Sequence, residues 1–292
     1  MLGADRLRLQ WRPYRFALPQ AMVTSQGAWG ERRGWLLRLE AGAGRIGWGE
    51  AAANPEPAGG AGGEPCGAPG GEPAGLTALA AAVAALPAAL PRPALEALLP
   101  RQPRPLACAL GMALAELDGL GAPTQGGWRP APPSAFLLPA GEAALPALAQ
   151  ALAAAAAAGH APTVKWKVAA AADALERQLL EALLERLPPG GRLRLDANGG
   201  WDRPTAAAWA GRLAGEPRLD WLEQPLPPGD RAGLEGLARQ LPVALDESLR
   251  DPAGWPASAA WPGWQVRRPL QEGDPRPLLA ALAAGTPRLM LS

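Results

Sequence analysis

The stretch RLRLDANGGWD, residues 192–202, decides the fold. Its first half alternates charged and apolar residues as a strand does, and the Gly-Gly pair that follows reads as a turn. Between them stand Asp196 and Asn198. A carboxylate at the end of a buried strand is costly unless it is paired or bound to a metal, so the rest of the chain is read for what Asp196 faces. The same arrangement recurs downstream, where RLDWLEQP (218–225) carries Glu223 and PVALDE (242–247) carries Asp246. Four more strand candidates have similar texture: 134–138, 163–168, 264–269 and 288–292. Most of the gaps hold an amphipathic helix such as DALERQLLEALLERL, residues 173–187. Repeated strand and helix units of this length predict a parallel sheet, and seven of them predict a (β/α) barrel rather than an open sheet.

Upstream the texture differs. Residues 5–11, 35–40 and 45–50 are short strand candidates, the last two joined by the turn AGAG, which predicts an antiparallel start. That turn opens a formal GxGxxG over residues 42–47, but a strand and not a helix follows, so a dinucleotide site lacks its context. Residues 54–75 are rich in Gly and Pro and predict a mobile loop. Two Ala/Leu-rich helices are expected near 76–90 and 105–121.

Composition excludes several function classes. With 28 basic and 27 acidic residues in 292, net charge offers no footprint for nucleic acid or an anionic membrane surface. The most apolar run, 144–158, is interrupted by Pro146 and Gln150 and falls short of the roughly 18 residues of a spanning helix. The charged opening MLGADRLRLQW is unlike a signal peptide, which predicts a cytoplasmic protein. Cys66 and Cys108 lie far apart outside any CxxC pattern, as in a reducing compartment without structural disulfides. His160, the only histidine, has no acid near it in sequence and reads as a loop residue.

In a barrel of this kind the catalytic groups sit at the carboxyl ends of the strands. Asp196, Glu223 and Asp246 stand about one βα unit apart, so three acids are expected to converge there. Left bare they would repel one another, whereas a divalent cation satisfies all three, and oxygen-only ligands favour Mg²⁺ or Mn²⁺ over zinc. Lys165 and Lys167 are two apart on one strand and so share a face. Two ammonium groups this close are expected to lower one pKa toward the range of a general base. Arg267-Arg268-Pro269 ends the sixth strand, and an arginine there offers a fixed positive charge but not a base. No nucleophile elbow, P-loop or zinc spacing appears, which argues against serine or cysteine hydrolysis.

In this order and spacing VKWKV (164–168), LDANGGWD (195–202), WLEQPL (221–226) and ALDESL (244–249) resemble the enolase superfamily, and within it the o-succinylbenzoate synthases. TSQGAWGERRG (24–34) and GRIGWGEAA (44–52) resemble that superfamily's capping domain. The resemblance implies an α+β capping domain over residues 1–125 and an incomplete (β/α) barrel over 126–292, the eighth unit being absent from the chain. It implies that Asp196, Glu223 and Asp246 ligate Mg²⁺, that Lys167 is the acid/base lysine with Lys165 its neighbour, and that Asn198 lies near the metal shell. Where the family carries a lysine before the proline of the sixth strand, this chain has Arg268. A racemase needs a base on each face of the α-carbon, so Arg268 favours a syn dehydration that uses one base. The implied substrate is a small carboxylate, 2-succinyl-6-hydroxy-2,4-cyclohexadiene-1-carboxylate, converted to o-succinylbenzoate in menaquinone or phylloquinone biosynthesis. Arg32 or Arg33 is expected to meet its succinyl carboxylate or to stay solvated. The segments 24–33 and 54–75 are expected to close the mouth. The alternatives are an N-succinylamino acid racemase or dipeptide epimerase, and a non-catalytic relic that lacks the last barrel unit.

Overall fold

The computed structural model describes residues 6–24, 27–52, 74–120, 134–250 and 261–292. The chain packs into two compact units, one of residues 1–129 with 268–286 and one of residues 130–267 with 287–292. The expected boundary at 125/126, Cys66 and nearly all of the predicted 54–75 loop lie outside the described residues. Residues 74 and 75 do not belong to a loop but open a helix.

The first unit is built on a four-stranded antiparallel sheet ordered β3-β2-β1-β4: β1 Arg6–Thr24, β2 Gly27–Glu40, β3 Ile46–Ala52 and β4 Ala89–Pro91. Leu7, Leu9, Leu37 and Leu39 line one face of it and bury against the helices. These are α1 (Ala74–Ala84), α2 (Arg92–Leu98) and α3 (Arg104–Leu117). Strand β1 runs well past the predicted residue 11, in spite of Pro13 and Pro19. Beyond Arg8 it has lost β4 and, among the described residues, pairs with β2 alone, and an edge is where a sheet tolerates proline. By the same token residues 27–33, expected in a closing loop, run within β2. Cys108 on α3 is free and buried, and burial, with Asp274 and Glu272 adding, pushes its thiol up to about 11.

Helix α3 approaches β3 closely because β3 presents glycines to it. A Cβ at Gly49 would lie 1.9 Å from the carbonyl oxygen of Ala109, and one at Gly47 1.9 Å from that of Ala113. These clashes are with backbone, which cannot swing aside as a side chain can. Gly49→Ala is therefore expected to destabilise the protein by about 1–3 kcal/mol, the ordinary cost of overpacking. Urea unfolding measures this, and an unchanged midpoint would contradict the packing.

The second unit holds a seven-stranded parallel sheet in simple sequence order. Its strands are β5 (Phe136–Leu138), β6 (Thr163–Lys167), β7 (Arg192–Asp196), β8 (Leu219–Glu223), β9 (Val243–Leu245), β10 (Trp264–Arg267) and β11 (Leu289–Leu291). Helices α4 (Ala144–Ala157), α5 (Asp173–Arg186), α6 (Arg203–Leu213) and α7 (Arg231–Ala238) separate the first five. Between β10 and β11 come α8 (Pro269–Glu272) and α9 (Arg276–Ala283), which pack with the first unit. Every predicted strand of this region exists, in most cases trimmed at its carboxyl end. Asn198 and Gln224 take positive φ (47° and 36°), which turns the chain out of the sheet directly after Asp196 and Glu223.

The two faces of this sheet differ. Val164, Trp166, Leu193, Leu195, Leu222, Val243 and Leu245 bury against the helices, with Trp209 of α6 fully buried among them. On the opposite face Trp221, Ala244 and Val266 form a small apolar floor, and the Arg194 guanidinium stacks 3.9 Å from the Trp221 ring. Strand alternation places Lys165, Lys167, Asp196 and Glu223 on this second face. None of the described helices is long and apolar enough to cross a membrane.

Candidate active site

Register brings the predicted residues to one end of the sheet. Lys167 pairs with Asp196 and Asp196 with Glu223, each the last residue of its strand. Asp246 lies one residue past β9, not within it. Asp196, Glu223 and Asp246 are all buried, at 6, 1 and 1% exposed.

Lys165 fills the space between two of these acids. Its ammonium lies 2.9 Å from Asp196 Oδ2 and 2.7 Å from Glu223 Oε1. Burial works against the Lys165 charge, but Glu223 and Asp196 outweigh it and hold its pKa above the ordinary lysine value. The expected lowering of a lysine pKa by its neighbour is thus corrected for Lys165, since carboxylates and not the second ammonium dominate its surroundings. The Lys167 side chain makes no hydrogen bond or ion pair with another described residue. For Glu223, burial and then repulsion from Asp196 push the carboxyl up to about 7, in spite of Lys165.

Asp246 is held differently, by Arg250 at 3.1 Å. The same guanidinium lies 3.3 Å from Glu247, an acid absent from the sequence-based site. Burial, followed by the charge of Asp246, raises the Glu247 carboxyl above its usual range. Its signal in the sequence was the doubled acid in LDES, of which only the first member fitted the strand-end pattern. Asn198 joins the two groups: its backbone N–H donates to Asp196 Oδ1 at 3.1 Å and its amide Nδ2 donates to Glu247 Oε1 at 3.2 Å.

Gln224, fully buried, is a second residue the sequence reading missed. Its Nε2 donates to the Leu226 carbonyl and to Ser248 Oγ, both at 2.8 Å, while its Oε1 accepts the backbone N–H groups of Asp246 and Ser248, both at 3.1 Å. It thereby ties the loop after Glu223 to the loop that carries Asp246.

The donor set suits a hard dication. It offers oxygen alone, Glu223 is short of compensating positive charge, and the buried oxygens Asn198 Oδ1 and Glu247 Oε2 have no hydrogen-bond partner among the described residues. As the side chains stand, however, no group of three or more His, Cys, Asp or Glu among the described residues is placed to hold a metal ion. Lys165 and Arg250 stand against the carboxylates instead, Lys165 between Asp196 and Glu223 and Arg250 beside Asp246.

The predicted arginines are all engaged. Arg267 ends β10 and donates to Gln265 Oε1 at 3.2 Å. Arg268 follows the strand, and its backbone N–H donates to Glu272 Oε1 at 2.7 Å. Arg32 pairs with Glu50 at 3.2 Å, beside a Tyr14 hydroxyl that donates to the same carboxylate, and Arg33 pairs with Glu31. Arg268, Arg32 and Arg33 belong to the first unit. His160 is exposed, as a loop residue should be.

Residues 147–260 match the family described as Enolase C-terminal domain-like. Over 96% of its length the chain is 37% identical to an o-succinylbenzoate synthase of Thermosynechococcus vestitus, of which it covers 81%. It is 46% identical to a hydrophobic dipeptide epimerase of a Flavobacteria bacterium, over 24% of this chain and 20% of that one. Among solved structures, o-succinylbenzoate synthase from Thermosynechococcus elongatus BP-1, complexed with Mg in its active site, superposes with a TM-score of 0.71 at 33% identity, covering 97% of this chain and 83% of that one. A dipeptide epimerase from Methylococcus capsulatus shares the fold at a TM-score of 0.70 and 20% identity, covering 99% of this chain and 82% of that one.

Proposed function

The chain belongs to the o-succinylbenzoate synthase family of the enolase superfamily, and on that premise we propose that the strand-end groups of its parallel sheet are the catalytic apparatus of that reaction. The reaction is the Mg²⁺-dependent syn dehydration of 2-succinyl-6-hydroxy-2,4-cyclohexadiene-1-carboxylate to o-succinylbenzoate, a carbon–oxygen lyase step on a small carboxylate. The seven strands are seven units of a (β/α) barrel. One observation carries the assignment of roles: Lys167, Asp196 and Glu223 are register partners at the carboxyl ends of three adjacent strands.

Asp196, Glu223 and Asp246 would hold the metal, Mg²⁺ or Mn²⁺, with Asn198 and Glu247 behind them. Bound there, the dication supplies the positive charge that a carboxylate needs as it loses an α-proton. Lys167 removes that proton with an amine that pairs with no other described residue. The C–H electron pair moves into the ring, the C–O bond of the 6-hydroxyl breaks, and Lys167 returns the proton to the departing oxygen, so water leaves and the ring becomes aromatic. One base serves both steps because both occur on one face. Lys165, which bridges Asp196 and Glu223 without the metal, is the neighbour of the base and not the base itself. Arg268 contributes a fixed charge and no second base, which disfavours racemisation or epimerisation. Arg32 or Arg33 is assigned to the succinyl carboxylate on the resemblance alone.

Purified protein with Mg²⁺ is expected to form o-succinylbenzoate from the cyclohexadiene carboxylate, to stop when the metal is chelated, and to resume when Mg²⁺ or Mn²⁺ is restored. Solvent deuterium appearing in both enantiomers of an N-succinylamino acid, with no dehydration of the cyclohexadiene, would contradict the assignment and favour the racemase reading.

A further inference from the structure

Helix α5 begins without a side-chain cap, because Ala172 stands at its N-cap. Upstream, the chain leaves Lys167 through Val168 and then the run Ala169-Ala170-Ala171, with Ala169 at φ 59°. A bare alanine turn in that conformation has strained backbone and amides without a local acceptor. Glu176, in the first turn of α5 and 1% exposed, reaches back out of the helix to supply one. Its Oε2 accepts the N–H of Ala169 at 2.9 Å, and its Oε1 accepts those of Ala170 and Ala171 at 3.0 and 2.9 Å. Three successive amides cradle one buried carboxylate, the nest arrangement in which backbone N–H groups hold an anion. Gly200, in the loop after β7, lies close beside the turn: a Cβ there would come within 2.9 Å of Ala169 Cβ.

We infer that Glu176 is a positioning residue for the reaction, fixing through this nest the backbone that carries the Lys167 amine. An ordinary capping side chain would satisfy the helix's own N–H groups. This carboxylate instead spends its capacity upstream of the helix, on the three residues nearest the base that lack side chains able to hold themselves. Glu176 touches neither the carboxylates of the site nor Lys165, so its effect runs through the placement of Lys167 and not through charge at the metal ligands.

The inference rests on Lys167 being the base, and the test separates the two. In Glu176→Leu all three amides lose their acceptor. The expected result is a kcat lower by about 10²-fold, the scale of an ångström-sized misplacement of a catalytic group. KM and Mn²⁺ affinity should stay at wild-type values, and the primary isotope effect with substrate deuterated at the α-carbon should rise as proton removal becomes more limiting. Glu176→Gln keeps one oxygen, enough for Ala170 and Ala171, and should recover most of the lost kcat. If Glu176→Leu does not fold, Glu176→Gln carries the test, with a smaller kcat loss and the same direction of isotope effect. Wild-type kcat and isotope effect in the folded variants would overturn the role of Glu176 and leave Lys167 untouched. An active Lys167→Ala would instead overturn the reading on which it rests.

Discussion

Lys167→Ala is expected to lower kcat by roughly 10³- to 10⁴-fold while leaving the melting temperature and Mn²⁺ affinity near those of the wild type. The magnitude is the upper range for removing a positioned general acid and base, fitting for a side chain that serves both halves of the reaction. The selectivity follows from geometry. The Lys167 side chain has no hydrogen bond or ion pair with another described residue, so its loss strands no partner among them. Lys165→Ala should behave in the opposite way. It uncovers Asp196 and Glu223 together, and two buried carboxylates without their shared cation are destabilising. Circular dichroism melts of the metal-free proteins, set beside single-turnover rates, distinguish the two lysines. Appreciable turnover by Lys167→Ala would remove it from the mechanism.

Glu223→Gln is expected to weaken Mn²⁺ binding by more than about 100-fold and to abolish turnover at millimolar Mg²⁺. Loss of groups behind a metal ligand already costs 10–100-fold, so loss of a ligand should exceed that range. Glu223 is the most informative of the three acids because it is 1% exposed and its carboxyl is pushed up to about 7 by burial and by Asp196. A dication next to it would remove that cost. The glutamine keeps the shape and one acceptor, so the Trp221 indole N–H that now lies 3.3 Å from Glu223 Oε2 still has a neighbour. Titration followed by the paramagnetic signal of free Mn²⁺ measures the affinity directly. Wild-type affinity in this variant would place the metal elsewhere.

The strand ends were legible because two simple patterns coincide there. Alternation marks β7 and β8, and an acid at the last buried position of each marks a group that must face something charged. The first unit was less legible: α2 is short, and the extension of β1 through Pro13 depends on which edge of the sheet is free, which no local pattern reports. The difference between Lys165 and Lys167 was also out of reach. On one strand they are equivalent, and only the tertiary placement of Asp196 and Glu223 makes Lys165 their counter-ion and not Lys167. Glu176 and Gln224 were hidden for a related reason. Each does its work through backbone amides of another loop, and the sequence of an amide is the same everywhere.

The central claim is that Asp196, Glu223 and Asp246 share one hard dication, whose arrival takes over from Lys165 the neutralisation of two of them. Anomalous diffraction at the manganese edge from crystals grown with Mn²⁺ tests it most directly. The account predicts one peak at bonding distance, about 2.1 Å, from an oxygen of each of the three carboxylates, with the Lys165 amine withdrawn from between Asp196 and Glu223. A peak away from these side chains, or none while Lys165 still bridges the two acids, would contradict it.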